Sequence, residues 1–94
     1  LEKDGVVMFP DAPTIRGVKH IDELIGAKKN NIGAIICFVI TLENPKYFTP
    51  NRDTHPAFAD ALLRAKSVGV DILAFDCIVK PDTVVINNPV EVVL

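Results

Sequence analysis

No run of apolar residues approaches the length of a membrane-spanning helix, and no signal-peptide pattern opens the sequence. A helical span among these residues is excluded. Cysteine is scarce: Cys37 and Cys77 share no CxxC spacing and no histidine partner, so they do not form a zinc motif. Both sit inside apolar runs, Ile35-Ile36-Cys37-Phe38-Val39 and Phe75-Asp76-Cys77-Ile78-Val79, where free cysteine behaves as a small buried hydrophobe. That usage points to the cytoplasm, with a disulfide between neighbouring strands as the lesser alternative. Charge of one sign is also missing. Ten lysines and arginines against twelve aspartates and glutamates leave a formal net charge of -2. That excludes a strongly basic domain that coats nucleic acid, while a local patch on one helix stays open. There is no Gly-rich phosphate loop, no Gly-x-Ser-x-Gly elbow, no paired-His metal site, no repeat and no low-complexity segment.

The 94 residues are 49% hydrophobic, enough for one small domain, 1–94, with a single core. The chain starts at Leu1 without an initiator Met and runs at once into Val6-Val7-Met8-Phe9. It is therefore expected to be an excised piece of a longer protein.

Hydrophobic periodicity alternates in type along the chain. Residues 6 to 9 read as a short strand. Ile15, Val18, Ile21, Leu24 and Ile25 then recur three to four apart, the stripe of a helix laid on a sheet. Lys28-Lys29-Asn30-Asn31 and Gly33 mark its end, with the lysines at the negative pole of the dipole. Gly33 to Leu42 is nearly all apolar and predicts a central strand covered on both faces. Glu43 to Asp53, with Pro45 and Pro50, predicts a long surface loop. Pro56 fits the first turn of a second helix carrying Phe58, Ala61, Leu62, Ala65 and Val68 and stopped by Gly69. Val70 to Lys80 reads as a second long strand, Pro81-Asp82 as a turn and Thr83 to Ile86 as a short returning strand. Strand, helix, strand, helix, strand implies an α/β domain whose mixed, mostly parallel sheet is flanked by two helices.

Chemistry concentrates at the start of the first helix. In Phe9-Pro10-Asp11-Ala12-Pro13-Thr14-Ile15-Arg16-Gly17, Pro10 and Pro13 fix φ and push Phe9 and Ala12 away from helical geometry. Thr14 can cap the helix, leaving further first-turn donors for a phosphate or carboxylate beside Arg16. Arg16, His20 and Glu23, spaced four and three apart, form one polar ridge. In the functional reading Arg16 and His20 contact a phosphate or catalytic group and Glu23 orients or charges His20. In the plainer one the ridge is a solvated salt-bridge face. Gly17 costs a helix about 1 kcal/mol against alanine and so implies the close approach of another group. Asp11 is either an Asx-type turn residue or a site carboxylate. His55, ahead of Pro56, takes a capping place usually held by Ser, Thr, Asp or Asn, and is read as structural or solvated.

A metal-dependent nuclease needs Pro-Asp followed by an acidic-x-Lys triplet, so that two carboxylates converge on Mg²⁺ and a lysine stands beside the attacking water. Pro10-Asp11 is followed by no such triplet; Glu43-Asn44-Pro45-Lys46 has one residue too many. The chain by itself is expected to hold no cofactor and not to cut DNA.

Four blocks carry a resemblance: FPDAPTIRGVKHIDEL at residues 9 to 24, the apolar strand ending at Ile40, the Phe48-x-Pro50-x-Arg52 stretch, and Phe58 to Asp71 with Leu62, Ala65 and Gly69-Val70. Together they are similar to the C-terminal part of the bacterial sugar fermentation stimulation protein (SfsA) family. The resemblance implies an OB-like barrel upstream and, here, part of a restriction-endonuclease-like PD-(D/E)XK fold lacking its N-terminal portion. It implies a DNA-binding protein that affects maltose and other sugar metabolism, with DNA as partner and Mg²⁺ available to the intact protein. In the family the acidic-x-Lys triplet lies just upstream of the strand that ends at Phe9, so this chain is expected to begin after it. Phe9-Pro10-Asp11-Ala12, Thr14, Arg16-Gly17 and His20-x-x-Glu23-Leu24 carry over by position. Where many members have an Asp near the second helix, this chain has His55-Pro56.

The expected function is thus part of a DNA-binding, sugar-metabolism-linked protein. Thr14, Arg16, Gly17 and Lys19 would form the phosphate-binding face, and Asp11, Arg16, His20 and Glu23 stand as candidate catalytic residues with no metal ligand complete. The rival readings are a Mg²⁺-dependent nuclease in the intact protein and a structural or oligomerisation domain. A homodimer, native or non-native, is a further expectation, since a sheet cut open at Leu1 exposes an edge that can drive non-native pairing.

Overall fold

A computed structural model describes all residues from Leu1 to Leu94. The elements are β1 (Glu2–Lys3), β2 (Val6–Phe9), α1 (Ile15–Lys29), β3 (Ile35–Ile40), β4 (Tyr47–Pro50), α2 (Pro56–Ser67), β5 (Asp71–Lys80) and β6 (Thr83–Val90). The α/β class, both helices and the strand after each are as the periodicity predicts.

The sheet is not. There are two three-stranded sheets, β1-β2-β4 and β3-β5-β6. The pairings β2·β4 and β3·β5 are parallel, while β1·β2 and β5·β6 are antiparallel, so parallel pairing does not predominate. The tail after β6 ties the two together: Phe48 N–H donates to the Glu91 carbonyl and Val93 N–H to the Phe48 carbonyl, both at 2.8 Å.

Three further expectations are corrected. The stretch from Glu43 to Asp53 contains β4, because Tyr47 and Phe48 find a ladder on β2 that outweighs the flanking prolines; Pro50 closes the strand, where its missing donor is tolerated. β3 is an edge strand, bonded to β5 alone, and it buries one face only, so Cys37 is exposed while Cys77 is buried. β6 runs on to Val90, beyond Ile86, with a register shift between Phe75 and Cys77 that lets it continue past the bend.

Both helices end in the same hydrogen-bonded turn. In α1, Ile32 N–H reaches Ala27 O and Asn31 N–H reaches Lys28 O, with Asn31 at φ 62°. In α2, Val70 N–H reaches Ala65 O and Gly69 N–H reaches Lys66 O, with Gly69 at φ 94°. Each thereby satisfies last-turn carbonyls through a left-handed residue. In α1 that residue is Asn31, within the Lys28-to-Gly33 stretch that marks the end in the sequence.

The core has two centres. Ile21 and Ile25 of α1 meet Phe58, Ala61, Leu62 and Ala65 of α2 over Ile36, Phe38 and Ile72 of the sheet. Small alanines at 61 and 65, fully buried, let the helices close on one another. A second cluster of Ile40, Phe48 and Ala74 lies between the sheets, with Val7, Val90 and Val92 against it. Phe38 belongs to both, stacked on Phe48 at 4.3 Å between ring centroids. Ile15 does not join the stripe: at the first turn it stands 86% exposed. No helix is long and apolar enough to cross a membrane.

Candidate functional site

The proline-rich link delivers the chain from β2 to the start of α1. Pro10 is buried behind a cis peptide from Phe9, and the Phe9 ring packs edge-on against Phe58 of α2 at 5.3 Å. The link is thereby fixed to the second helix before the first begins.

Thr14 is the N-cap, in extended geometry at φ -134° and ψ 97°, and its hydroxyl accepts from Gly17 N–H at 3.0 Å. Val18 N–H takes the Thr14 carbonyl. The Ile15 and Arg16 amides have no intrahelical acceptor, and the first turn carries no acidic residue. This end of α1 therefore presents open donors and the positive pole of the dipole with no carboxylate to quench them. Gly17 is explained by packing: a Cβ there would lie 2.8 Å from Thr14 Cγ2 and 3.1 Å from Phe58 Cε1. The close approach that the glycine signals is that of protein side chains.

His55, the N-cap position of α2, makes no side-chain bond to its own helix. Its Nδ1 instead accepts from the Thr14 backbone N–H at 3.1 Å. The helix starts are thus joined through one imidazole, which must carry its proton on Nε2 to serve as acceptor. Sequence reading placed His55 as structural or solvated and missed this partner, 41 residues away. No local signal encodes such a pairing.

The ridge is assembled as the helical spacing requires. Arg16, Lys19, His20 and Glu23 are all exposed. His20 Nδ1 and Glu23 Oε2 stand 3.8 Å apart across one turn, both well exposed, as in an ordinary surface pair. Asp11 is exposed in the link and forms no ion pair or hydrogen bond with Arg16, His20 or Glu23. Arg16 differs from the other arginines. Arg64 binds Asp22 at 3.1 Å, Arg52 binds the Leu94 carbonyl at 2.6 Å and faces Asp60 at 3.8 Å, and Arg16 has no carboxylate partner. No three His, Cys, Asp or Glu side chains come together as metal ligands. Asp11, His20 and Glu23 therefore do not form a metal centre among themselves.

The fold and site define an α/β domain in which a helix N-terminus, braced by a proline-rich link and a neighbouring helix, presents cations to solvent. The family model described as SfsA, sugar fermentation stimulation protein RE domain, matches residues 1–83, and the chain belongs to that family. It is 52% identical over 92 residues to a sugar fermentation stimulation protein homolog of Clostridium botulinum (strain Langeland / NCTC 10281 / Type F), covering 98% of this chain and 40% of the relative. The homolog of Clostridium botulinum (strain Alaska E43 / Type E3) is 52% identical over 94 residues, 100% of this chain and 41% of the relative. The solved structure of Pyrococcus furiosus SfsA in complex with Ca²⁺ superposes with a TM-score of 0.90 at 29% identity, over 100% of this chain and 41% of that one. The chain thus spans about two fifths of the length of the relatives it matches.

Proposed function

We propose that this domain contributes a DNA-backbone contact to a protein linked to sugar metabolism, through the exposed start of α1. The observation that carries the reading is Arg16: it is the arginine without a carboxylate partner, and it stands in a first turn that has no acid. Lys19, one turn on, is exposed and unpaired as well. Two free cations, the open amides of Ile15 and Arg16 and the dipole of a fifteen-residue helix all favour an anion at one place. Spaced phosphates on a duplex suit that pattern. Contacts of this kind position DNA without reading its sequence.

The match to a family model of an RE domain supports a restriction-endonuclease-like ancestry. Asp11, His20 and Glu23 do not converge as a ligand set for Mg²⁺. The calcium named for the Pyrococcus furiosus protein is that protein's.

The test is fluorescence anisotropy of a labelled duplex titrated with the chain across a range of salt. Each phosphate contact contributes a slope of about -0.9 in log affinity against log salt. Salt-sensitive binding that weakens for Arg16→Ala and Lys19→Ala is the expected result. Binding that is absent, or indifferent to both substitutions, overturns the reading.

A further inference from the structure

β6 is an outer strand of the larger sheet: in the order β3-β5-β6 it is bonded to β5 alone. Beyond Cys77 the β5·β6 pair leaves the core. Val84 is 55% exposed and Ile86 51%, with Ile78, Val79 and Val85 exposed beside them. The register pairs Ile78 with Val85 and Val79 with Val84, so aliphatic side chains stand in water on both faces of a two-stranded arm. Such an arm is marginal by itself and is steadied by a further strand. Its edge also lacks the usual protection. No charged residue occurs from Thr83 to Val90, and the one proline, Pro89, lies near the end, which leaves Thr83 to Asn88 as a template for pairing.

The sequence of β6 suits it to a copy of itself. Two antiparallel strands related by a twofold axis normal to the sheet keep each face on its own side, so residues of like parity meet. Centred on Val85, that register sets Val85 against Val85, Val84 against Ile86 and Ile86 against Val84, with Thr83 against Asn87 at either end and Pro89 beyond the paired stretch. Every central pair is apolar and no like charges face each other, the combination that stabilises a cross-strand ladder. The same step pairs the outward amides and carbonyls of β6.

We propose that β6 is the homodimer edge of this protein: two copies join antiparallel through Thr83 to Asn87 about a twofold axis at Val85. Their two three-stranded β3-β5-β6 sheets thereby become one continuous sheet. This edge lies across the larger sheet from β3 and has no part in the smaller sheet that begins at Glu2. Dimerisation through it is independent of DNA binding.

Sedimentation velocity of the full-length gene product over a wide range of concentration should show a reversible dimer. Val85→Lys sets two like charges opposite one another at the axis, and so does Val85→Glu; each should weaken the dimer at least about tenfold. An equimolar mixture of the two variants sets opposite charges face to face and should recover a dimer that neither forms alone. Far-ultraviolet circular dichroism checks that each variant is folded. Should the Val85 variants fail to fold, Thr83→Glu combined with Asn87→Glu takes their place: both positions are exposed, and the register makes carboxylate face carboxylate twice. A full-length product that stays monomeric overturns the proposal, whether its β6 edge is open or covered by the rest of the chain. So does a dimer that folded Val85→Lys, or the Thr83→Glu and Asn87→Glu combination, leaves intact, since it is built on another surface. A mixture that stays monomeric while both Val85 variants are folded overturns it as well.

Discussion

Nδ1 of His55 accepts the backbone N–H of Thr14, so the residue that begins α2 holds the residue that begins α1. A donor in a partly buried strand-to-helix link is satisfied by a side chain from another helix, and removing that acceptor leaves it without one. His55→Ala should cost about 1–3 kcal/mol in urea denaturation. His55→Gln, which can offer a carbonyl oxygen, should recover part of the loss. Equal loss in both variants would show that ring packing on Phe58, not the hydrogen bond, is what counts.

Two glycines in one helix should respond with opposite signs. Gly26 has nothing within 4 Å of a Cβ, so Gly26→Ala should stabilise by about 1 kcal/mol through helix propensity. At Gly17 a Cβ would fall 2.8 Å from Thr14 Cγ2, and the threonine cannot turn away without giving up its cap. Gly17→Ala should therefore destabilise by about 1–3 kcal/mol. A thermal melt of both variants decides the matter, and a stabilised Gly17→Ala would mean that the contact with Phe58 is loose.

The contrast shows what a sequence can carry. Residues that act on near neighbours were legible: the Thr14 cap, the Pro56 start, the i,i+4 ridge and the Gly69 stop each follow from local sterics or helical spacing. Gly17 announced a close approach but not from whom, because Phe58 enters from another helix. β4 was hidden since Tyr47 and Phe48 are strand residues only once β2 and the C-terminal tail lie alongside. The apolar run in β3 showed burial without saying on how many faces; which face is covered is decided by where the helices land. Of the candidate site, the ridge was readable and the bracing histidine was not.

Leu62 is fully buried where both helices meet the sheet. Leu62→Ala should cost about 2–5 kcal/mol, a large fraction of what a domain of this size has. Leu63, its neighbour, is 42% exposed, and Leu63→Ala should stay within about 0.5 kcal/mol of the parent. Denaturant midpoints for the pair check the burial pattern of α2 directly, and similar losses would place the helix in a different rotation.

The arginines provide the sharpest separation of stability from binding. Arg64 and Asp22 tie α2 to α1 across the surface at 3.1 Å, both about half exposed, and such a pair contributes up to about 1 kcal/mol. Arg64→Ala should therefore lower stability slightly and leave duplex affinity and its salt dependence alone. Arg16→Ala should do the reverse. No carboxylate loses a partner, so the melting temperature stays within error, while a phosphate contact is lost and the salt slope falls by about one unit. If both variants bind DNA as the parent does, the unpaired state of Arg16 reflects nothing more than an open solvent face. If Arg64→Ala weakens binding as much as Arg16→Ala, the contact surface lies across α2 and the start of α1 is not its centre.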